Sequence, residues 1–422
     1  MGGEVKNMRA LVCAVAAALV VAGCGRAEAP PVAGGSYKLY EAASTRNSQL
    51  VAVIDTRSHS VDRTLPWGLL AGRHLYSVST TALSDIDPMT GSTSRKLQLP
   101  GRFQLPNGAV SGVPGGLSQN GRWLVLERER DQATTSSQML VIDTSLMKAS
   151  APIGLNGIFE FDAISNDGRR MYLVEYLDGA SYRVRVYDVP SGQLDPNVVV
   201  DKSDGAAVMA GIRLSGVASP DGQWLYSVYA RPHNGAFIHA LSLTDPIAFC
   251  LDLPGSGYES NSDEFQWSLA LSADGSHLYA ANGAKGIIAE VQTQGNNPPS
   301  VVRTVRLDMP APTSGLFIKN VEAKELATGG LVLSADGKTL VMTGKTGLVW
   351  VDTATLHARS VHLASWTVWS LGLSPDGSMV YALNNAGTIA ELSMQNPGTP
   401  TTFGAAGAQP MALIRVDSPP AP

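Results

Sequence analysis

Few side chains in this sequence have the types and spacing that enzyme chemistry requires. The histidines show no metal-ligand pattern such as HExxH, and His357 and His362, the closest pair, are separated by a predicted turn. The sequence contains no GxSxG nucleophile motif, no Walker loop and no dinucleotide-binding fingerprint. It therefore predicts no catalytic residue, no metal site and no cofactor.

Charged and aromatic residues concentrate instead in or beside long connecting segments. These segments, at 127–138, 201–212, 255–266 and 308–328, contrast with tight turns elsewhere. Binding residues are commonly carried by elaborated loops on a rigid scaffold. The sequence predicts a binding face made of Glu160, Arg213, Asp263, Glu264, Phe265, Trp267, Lys324, Glu325, Trp366 and Trp369. The alternative is that these residues cap and pack the ends of strands.

A repeated strand–turn–strand pattern must position these segments. Between 366 and 393, strand-like runs at 370–373, 379–383 and 388–392 accompany the turn Ser374-Pro375-Asp376-Gly377. The same Ser-x-Asp-Gly turn recurs at 165–168, 219–222, 272–275 and 334–337, with a degenerate form at 118–121. A period of roughly 40–60 residues made only of short strands indicates a propeller-type array.

The two ends of the chain complete each other in this pattern. The run at 411–416 has no partner strand after it, whereas the N-terminal runs at 37–41, 50–54 and 61–65 lack a first strand. Joining them closes the ring and removes an exposed sheet edge. The sequence predicts an all-β propeller at 36–417, built from eight four-stranded antiparallel blades, with seven as the alternative if 37–41 is not a strand.

One repeat signature resembles a known family. The pattern LSPDG at 373–377, followed by Val380-Tyr381 and Asn384, and the strand ending VIDT at 53–56 resemble YVTN, or YncE-like, propeller repeats. The resemblance covers nearly the whole mature chain and implies a relation in fold to the heavy subunit of quinoprotein amine dehydrogenases. It implies little about function, because such propellers host unrelated activities.

The first residues indicate export. Lys6 and Arg9 precede a short apolar run at 10–21, and Ala22-Gly23-Cys24 follows, which is typical of a secretory signal. Cys24 resembles the lipobox cysteine of bacterial lipoproteins, which implies lipidation at that residue. We expect a signal peptide at 1–23, a flexible tether at 24–35 and a disordered tail at 418–422. A plain signal peptide or an uncleaved anchor are the alternatives.

The charge and cysteine content limit the classes of binding partner that we expect. The net charge is −5 without a basic patch, so nucleic acid is not expected as a partner. Cys250 is the one cysteine of the predicted folded region, which excludes an internal disulfide, and its apolar neighbours predict a buried, inert thiol. Together these features predict a monomeric, lipid-anchored extracytoplasmic scaffold that binds a protein, peptide or glycan. The alternative is an enzyme or enzyme subunit of a quinoprotein-dehydrogenase-like or lactonase-like type.

Overall fold

The computed structural model describes residues 36–46, 48–108, 113–130, 134–178, 181–203, 205, 207–294, 298–308, 330–406 and 409–419. The predicted signal peptide and tether, including Cys24, and the predicted binding residues Lys324 and Glu325 lie outside these ranges. Residues Gly35–Pro422 group into one compact unit, to which every strand below belongs.

Short β-strands make up most of the described structure. Those of the first half of the chain are β1 (Lys38–Ser44), β2 (Gln49–Asp55), β3 (Ser60–Pro66), β4 (Leu69–Ala71), β5 (His74–Ser79), β6 (Ala82–Ile86), β7 (Thr93–Gln98), β8 (Phe103–Gln104), β9 (Trp123–Arg128), β10 (Ser136–Asp143), β11 (Lys148–Ala149), β12 (Ile153–Asn156), β13 (Ile158–Ile164), β14 (Arg170–Tyr176), β15 (Ser181–Asp188), β16 (Gln193–Asp201) and β17 (Met209–Ala210).

The second half continues in the same way. Its strands are β18 (Ile212–Ala218), β19 (Trp224–Ala230), β20 (Phe237–Ser242), β21 (Ile247–Asp252), β22 (Trp267–Leu271), β23 (His277–Asn282), β24 (Ile287–Gln292), β25 (Ser300–Arg306), β26 (Leu331–Leu333), β27 (Thr339–Thr343), β28 (Leu348–Asp352), β29 (Ala358–His362), β30 (Val368–Leu373), β31 (Met379–Asn384), β32 (Thr388–Ser393), β33 (Thr401–Gly404) and β34 (Gln409–Asp417). The single helical element among the described residues is a 3-10 helix at Ser262–Gln266.

Hydrogen bonding groups the described strands into eight antiparallel units. Unit 1 contains β34, β1, β2 and β3, and the others follow in chain order as unit 2 (β4–β7), unit 3 (β8–β12), unit 4 (β13–β17), unit 5 (β18–β21), unit 6 (β22–β25), unit 7 (β26–β29) and unit 8 (β30–β33). Units 4 and 5 share one sheet, because their outer strands β16 and β21 pair in parallel over a short stretch.

Clusters of buried apolar side chains fill the spaces between consecutive units. Within the described residues there are eight such clusters, and seven of them each join two units that are neighbours in the chain, from units 1 and 2 to units 7 and 8. The remaining cluster joins unit 8 to unit 1 through Tyr381, Ile389, Leu39 and Leu413. The units therefore form a closed ring, and the predicted all-β, multi-bladed propeller is confirmed.

The closing unit has the composition that the sequence predicted. β34 pairs with β1 from Lys38↔Asp417 to Ser44↔Gln409. Ser370 of β30 reaches across the junction, since its hydroxyl accepts a hydrogen bond from the N–H of Leu413 at 3.1 Å. β3 extends to Pro66 as the outer strand of unit 1, and the inner strand of unit 2 is β4.

The Ser-x-Asp-Gly turns are held by their own side chains. In unit 8 the Ser374 hydroxyl donates to Asp376 Oδ1 at 2.6 Å and accepts from the N–H of Met379 at 2.9 Å, while Gly377 has φ +70°. The same bonds recur at Ser165, Ser219, Ser272 and Ser334. This arrangement explains the repeat without any functional role for the aspartates.

The threonine that ends several third strands links neighbouring units. Thr353 donates to the Gly337 carbonyl of its own unit's turn at 2.8 Å, and Thr144 makes the equivalent bond to Gly121 at 2.8 Å. Thr353 also lies against Tyr279 of the preceding unit. Burial raises the pKa of Tyr279, and the hydrogen bond with the Thr353 hydroxyl opposes this rise. The Asp-Thr ending is thus a contact between units.

Ring closure predicts the outcome of a truncation. Deleting residues 410–422 removes most of β34 and takes Leu413 and Val416 out of the cluster between units 8 and 1. Burial of such side chains contributes roughly 1.5–3 kcal/mol each, against a total stability of about 5–15 kcal/mol. We expect aggregation or a large loss of melting temperature, measured by calorimetry. Deletion of residues 25–35 is the control, and equal melting temperatures for the two truncations would contradict ring closure.

Substitutions at two turn glycines distinguish the free-energy cost of backbone strain from the cost of contact between units. Gly337 and Gly377 both have φ +70°, but a Cβ added at Gly337 meets nothing within 4 Å, whereas one at Gly377 would lie 2.8 Å from Ala335 Cβ of unit 7. Gly337→Ala should cost only the left-handed backbone strain of about 1–2 kcal/mol. Gly377→Ala should cost more in chemical denaturation, and the double variant Gly377→Ala/Ala335→Gly should recover the excess. Equal costs for the two single variants would exclude the contact.

Candidate functional site

Charged and phenolic side chains meet at the inner ends of units 3, 4 and 5, on the face opposite the Ser-x-Asp-Gly turns. We call this face the long-loop face. Six residues on β9, β13, β14 and β18 and just after β9 form what we call the polar cluster: Glu127, Arg130, Glu160, Asp162, Tyr176 and Arg213. The sequence predicted two of them, Glu160 and Arg213, and the structure brings these two into one cluster.

The ion pair between Arg213 and Asp162 ties three units together. The Asp162 side chain is only 1% exposed, in a bulge of β13, and its Oδ1 accepts from Arg213 Nη1 at 2.5 Å. Arg213 Nη2 also donates to the Asn107 carbonyl of unit 3 at 3.1 Å. Burial alone would lower the pKa of Arg213, but the charge on Asp162 outweighs it and the pKa is raised. The guanidinium therefore stays charged and fixed in place.

Glu160 is bound from two sides at the surface of the cluster. Its Oε1 accepts from Arg130 Nη2 at 3.2 Å, and its Oε2 accepts from the Tyr176 hydroxyl at 3.0 Å. Burial raises the pKa of Tyr176, and the negative charge on Glu160 adds to the effect. Tyr176 thus remains a neutral hydrogen-bond donor whose ring is 37% exposed.

Glu127 is the titratable group of the cluster near neutral pH. Its Oε1 accepts from the N–H of Phe161 at 2.5 Å. Burial raises the pKa of Glu127 to about 7, and the nearby charge on Glu160 contributes, although the Phe161 N–H opposes the rise. Such a carboxyl group can exchange a proton with a ligand close to physiological pH.

Exposed apolar side chains lie beside the polar cluster. Seven large hydrophobic side chains are exposed among the described residues, and four of them, which we call the apolar patch, are on units 4 and 5: Tyr176, Leu177, Val208 and Ile212. Tyr176 ends β14, Ile212 begins β18, and Val208 precedes β17, which pairs with the start of β15. Apolar side chains next to fixed charges are typical of a binding surface.

The predicted residues of the 255–266 loop hold that loop together. Glu264 is fully buried and accepts from the N–H of Ser256 at 2.7 Å and from Trp267 Nε1 at 3.3 Å, besides an ion pair with Lys285. Burial would raise the pKa of Glu264, but Lys285 and these donors outweigh it and the pKa is lowered. Phe265 stacks on Tyr258 with ring centroids 5.2 Å apart. Ligand contact by Glu264, Phe265 and Trp267 stays a prediction.

The other predicted residues lie apart from the polar cluster in the chain. Asp263 lies in the first turn of the 3-10 helix before β22, and its N–H donates to Asn261 Oδ1 at 2.9 Å. Trp366 and Trp369 belong to unit 8, where Trp366 packs against the cluster between units 7 and 8 and Trp369 is part of β30. Sequence reasoning missed Glu127, Arg130, Asp162 and Tyr176. Asp162 could have been found from the sequence Glu160-Phe161-Asp162, because acidic residues alternate there with an apolar one in an inner strand.

A second concave region opens on the turn face between units 6 and 7. This cleft has a volume of about 600 Å³ and is lined by Asp274, His277, Glu290, Arg303 and Asp336, among others. Its buried Glu290 is paired with Arg303 at 2.6 Å and with His277 at 3.1 Å. Asp274 and Asp336 accept from their own turn serines. The charges of both regions have partners, but none of the seven exposed apolar side chains lines this cleft, so the polar cluster with its apolar patch is the stronger candidate.

Among the described residues, no three or more His, Cys, Asp or Glu side chains are grouped so that they could hold a metal ion. No helix in the described ranges has the length and apolar character needed to cross a bilayer.

The fold and the polar cluster define the class of protein as a multi-bladed β-propeller with a candidate site on its loop face. No family model matches the chain, and no curated protein matches it. Among solved structures it is similar to AztD from Citrobacter koseri, with a TM-score of 0.53 and 12% identity over 91% of this chain and 98% of that one. It is also similar to the dihydro-heme d1 dehydrogenase NirN, with a TM-score of 0.52 and 13% identity over 93% and 76%. At such identities the similarity establishes the fold alone.

The raised pKa of Glu127 predicts how stability depends on pH. Below its ordinary pKa of 4.5 the group is protonated in both states; as the pH rises from 4.5 to about 7, only the unfolded chain ionises. Stability therefore falls across this window, by up to about 3 kcal/mol for this group. Urea denaturation of Glu127→Gln should show a smaller fall, although Glu41, whose burial also raises its pKa to about 7, retains part of it.

Glu129→Gln is the matched control for this measurement. Glu129 lies two residues further along the chain, and its side chain is 57% exposed. The control should keep the full pH dependence of the native chain. If Glu127→Gln keeps it as well, Glu127 does not titrate near pH 7 in the folded state.

Proposed function

We propose that this chain is a lipid-anchored, extracytoplasmic β-propeller that binds a protein or peptide partner through the long-loop face of units 4 and 5. The observation that carries the proposal is the apolar patch beside the polar cluster. A partner could place an apolar side chain on Tyr176, Leu177 and Ile212 and a hydrogen-bond donor or cation on Glu160. A glycan could use the same ring and carboxylate, and it is an outcome of the test below.

The chemistry of the cluster supports recognition of a partner with both apolar and basic groups. Arg213 is already paired with Asp162, and Arg130 shares Glu160 with Tyr176. Glu160 keeps a side-chain exposure of 43%, so its carboxylate is accessible from solvent. Desolvation of apolar side chains at the centre of an interface supplies most of the affinity, while charges at its rim select the partner.

Anchoring and family membership are part of the same proposal. The lipobox-like Cys24 supports an exported, lipid-anchored protein facing away from the cytoplasm. The Ser-x-Asp-Gly turns and the Asp-Thr endings support membership of the YVTN or YncE-like propellers, since residues of these motifs also contact the neighbouring unit. Asp376 Oδ2 accepts from the Tyr37 hydroxyl at 2.8 Å, and Thr353 lies against Tyr279.

The partner-binding proposal is tested by capture from a cell-envelope extract. Ile212→Asp and Leu177→Asp place a charge in the apolar patch and should each reduce the captured partner, identified by mass spectrometry, at least about tenfold, equivalent to 1.4 kcal/mol. Val302→Asp is the matched control, because Val302 is 55% exposed on β25 of unit 6, outside the patch. Capture that is equal for all three variants would contradict the assignment of the face. Release of the partner by free oligosaccharide would identify it as a glycan-bearing one.

Anchoring predicts a separate result. Cys24→Ala should release the protein from the membrane fraction without changing its melting temperature, because stable anchoring depends on the lipid chains. Retention of the variant in membranes after a salt wash would contradict lipidation at Cys24.

The second candidate function is enzymatic, and the partly buried Glu127 favours it. A carboxyl group with a pKa of about 7 is suited to general acid–base catalysis, and the Arg213–Asp162 pair lies close by. A screen of lactone and ester hydrolysis tests this function. Turnover by the native chain that is abolished in Glu127→Gln but retained in Glu129→Gln would support it, and no turnover by the native chain would contradict it.

A further inference from the structure

Two sulfur atoms lie close together between units 4 and 5. The Cys250 thiol of β21 is 3.8 Å from the thioether sulfur of Met209 in β17. Met209 is 9% exposed within the apolar cluster between the two units, and Cys250 packs against the same cluster while remaining partly exposed. The two sulfur atoms therefore lie at the edge of the cluster, next to a residue that is partly exposed.

A histidine with an unpartnered nitrogen shares this interface. His239 of β20 is directly opposite Cys250 in the antiparallel pairing, which places both side chains on one face of the sheet. Its neighbours on that face, Phe237 and Leu241, also pack toward unit 4. His239 is only 1% exposed, and its Nε2 has no hydrogen-bond partner within the described structure. A buried imidazole nitrogen without a partner is costly unless a ligand satisfies it.

The separation of the sulfur atoms suits coordination of one ion. With metal–sulfur bonds of about 2.3 Å, two sulfur ligands of one ion in tetrahedral or trigonal geometry lie about 3.8–4.0 Å apart. Thiolate and thioether ligands select soft ions, and imidazole completes such sets. This group differs from a His, Cys, Asp and Glu ligand set because one of its ligands is a thioether.

We propose that Cys250, Met209 and His239 form a binding site for a soft monovalent metal ion, Cu(I), between units 4 and 5. The thiol loses its proton to solvent when the ion binds, so that thiolate and Cu(I) together are neutral in the buried site. Asp201 fixes the backbone of the site, since its Oδ1 accepts from the N–H of Cys250 at 3.0 Å and from that of Ser203 at 2.8 Å. The ion would join the two units and satisfy His239 Nε2. The site is separate from the apolar patch and does not depend on the proposed partner.

The test uses the full chain and Cu(I) held by a chromogenic chelator without oxygen. The native protein should withdraw one equivalent of Cu(I) from the chelator. Cys250→Ser, His239→Gln and Met209→Leu should each weaken the affinity at least about tenfold. Met139→Leu is the matched control and should bind as the native chain does, because Met139 is also buried but lies between units 3 and 4.

Three results would overturn the site. The first is that the native chain withdraws no Cu(I). The second is that Cys250→Ser alone weakens binding while His239→Gln and Met209→Leu bind normally, which would show a lone reactive thiol. The third comes from X-ray absorption of the loaded native chain, which avoids variants that fail to fold. Two sulfur neighbours and one nitrogen neighbour are expected, and a shell of oxygen and nitrogen alone would contradict the assignment.

Discussion

The pairing of β34 with β1 is the interaction on which the rest of the structure depends. It joins residues from opposite ends of the chain, so its loop-closure entropy is large and local contacts cannot replace it. Once it forms, every unit has two neighbours, and each apolar cluster is covered on both sides. Ser370 and Gly372 must be small at this junction, because a Cβ on Gly372 would lie 2.9 Å from Val416. The ring thus positions the inner strand ends that carry the polar cluster.

Much of this architecture was predictable because its signals are local and repeated. Each Ser-x-Asp-Gly turn uses side chains a few residues apart, so five copies of one motif indicated where first and second strands meet. Closure was predictable from the count of unmatched strands at the two ends. The parallel pairing of β16 with β21 was not predictable, since it joins the outer strands of different units and has no repeated pattern.

The candidate site was only partly predictable, and for a physical reason. Arg213 drew attention as a charge beside a long segment, and Glu160 as a charge at a comparable place in another unit. Their neighbourhood, however, depends on a bulge at Asp162 and on contacts between three units. Glu264 shows the opposite case. Its position on a loop favoured a ligand contact, yet three side-chain and backbone donors and Lys285 surround it in the folded chain. A carboxylate that stabilises a loop differs from an accessible one in its burial and its hydrogen-bond partners. The spacing of residues in the sequence reveals neither of these.

Native-state hydrogen exchange of β34 tests ring closure most directly. If this strand is an integral part of the closed ring, its amide hydrogens that bond to β1 should exchange only when the whole propeller unfolds. Their free energy of exchange should then equal that of the central strand β31 and fall with denaturant at the same slope. Exchange of the β34 amides at a clearly lower free energy, with little dependence on denaturant, would show a strand that opens by itself and would contradict the account.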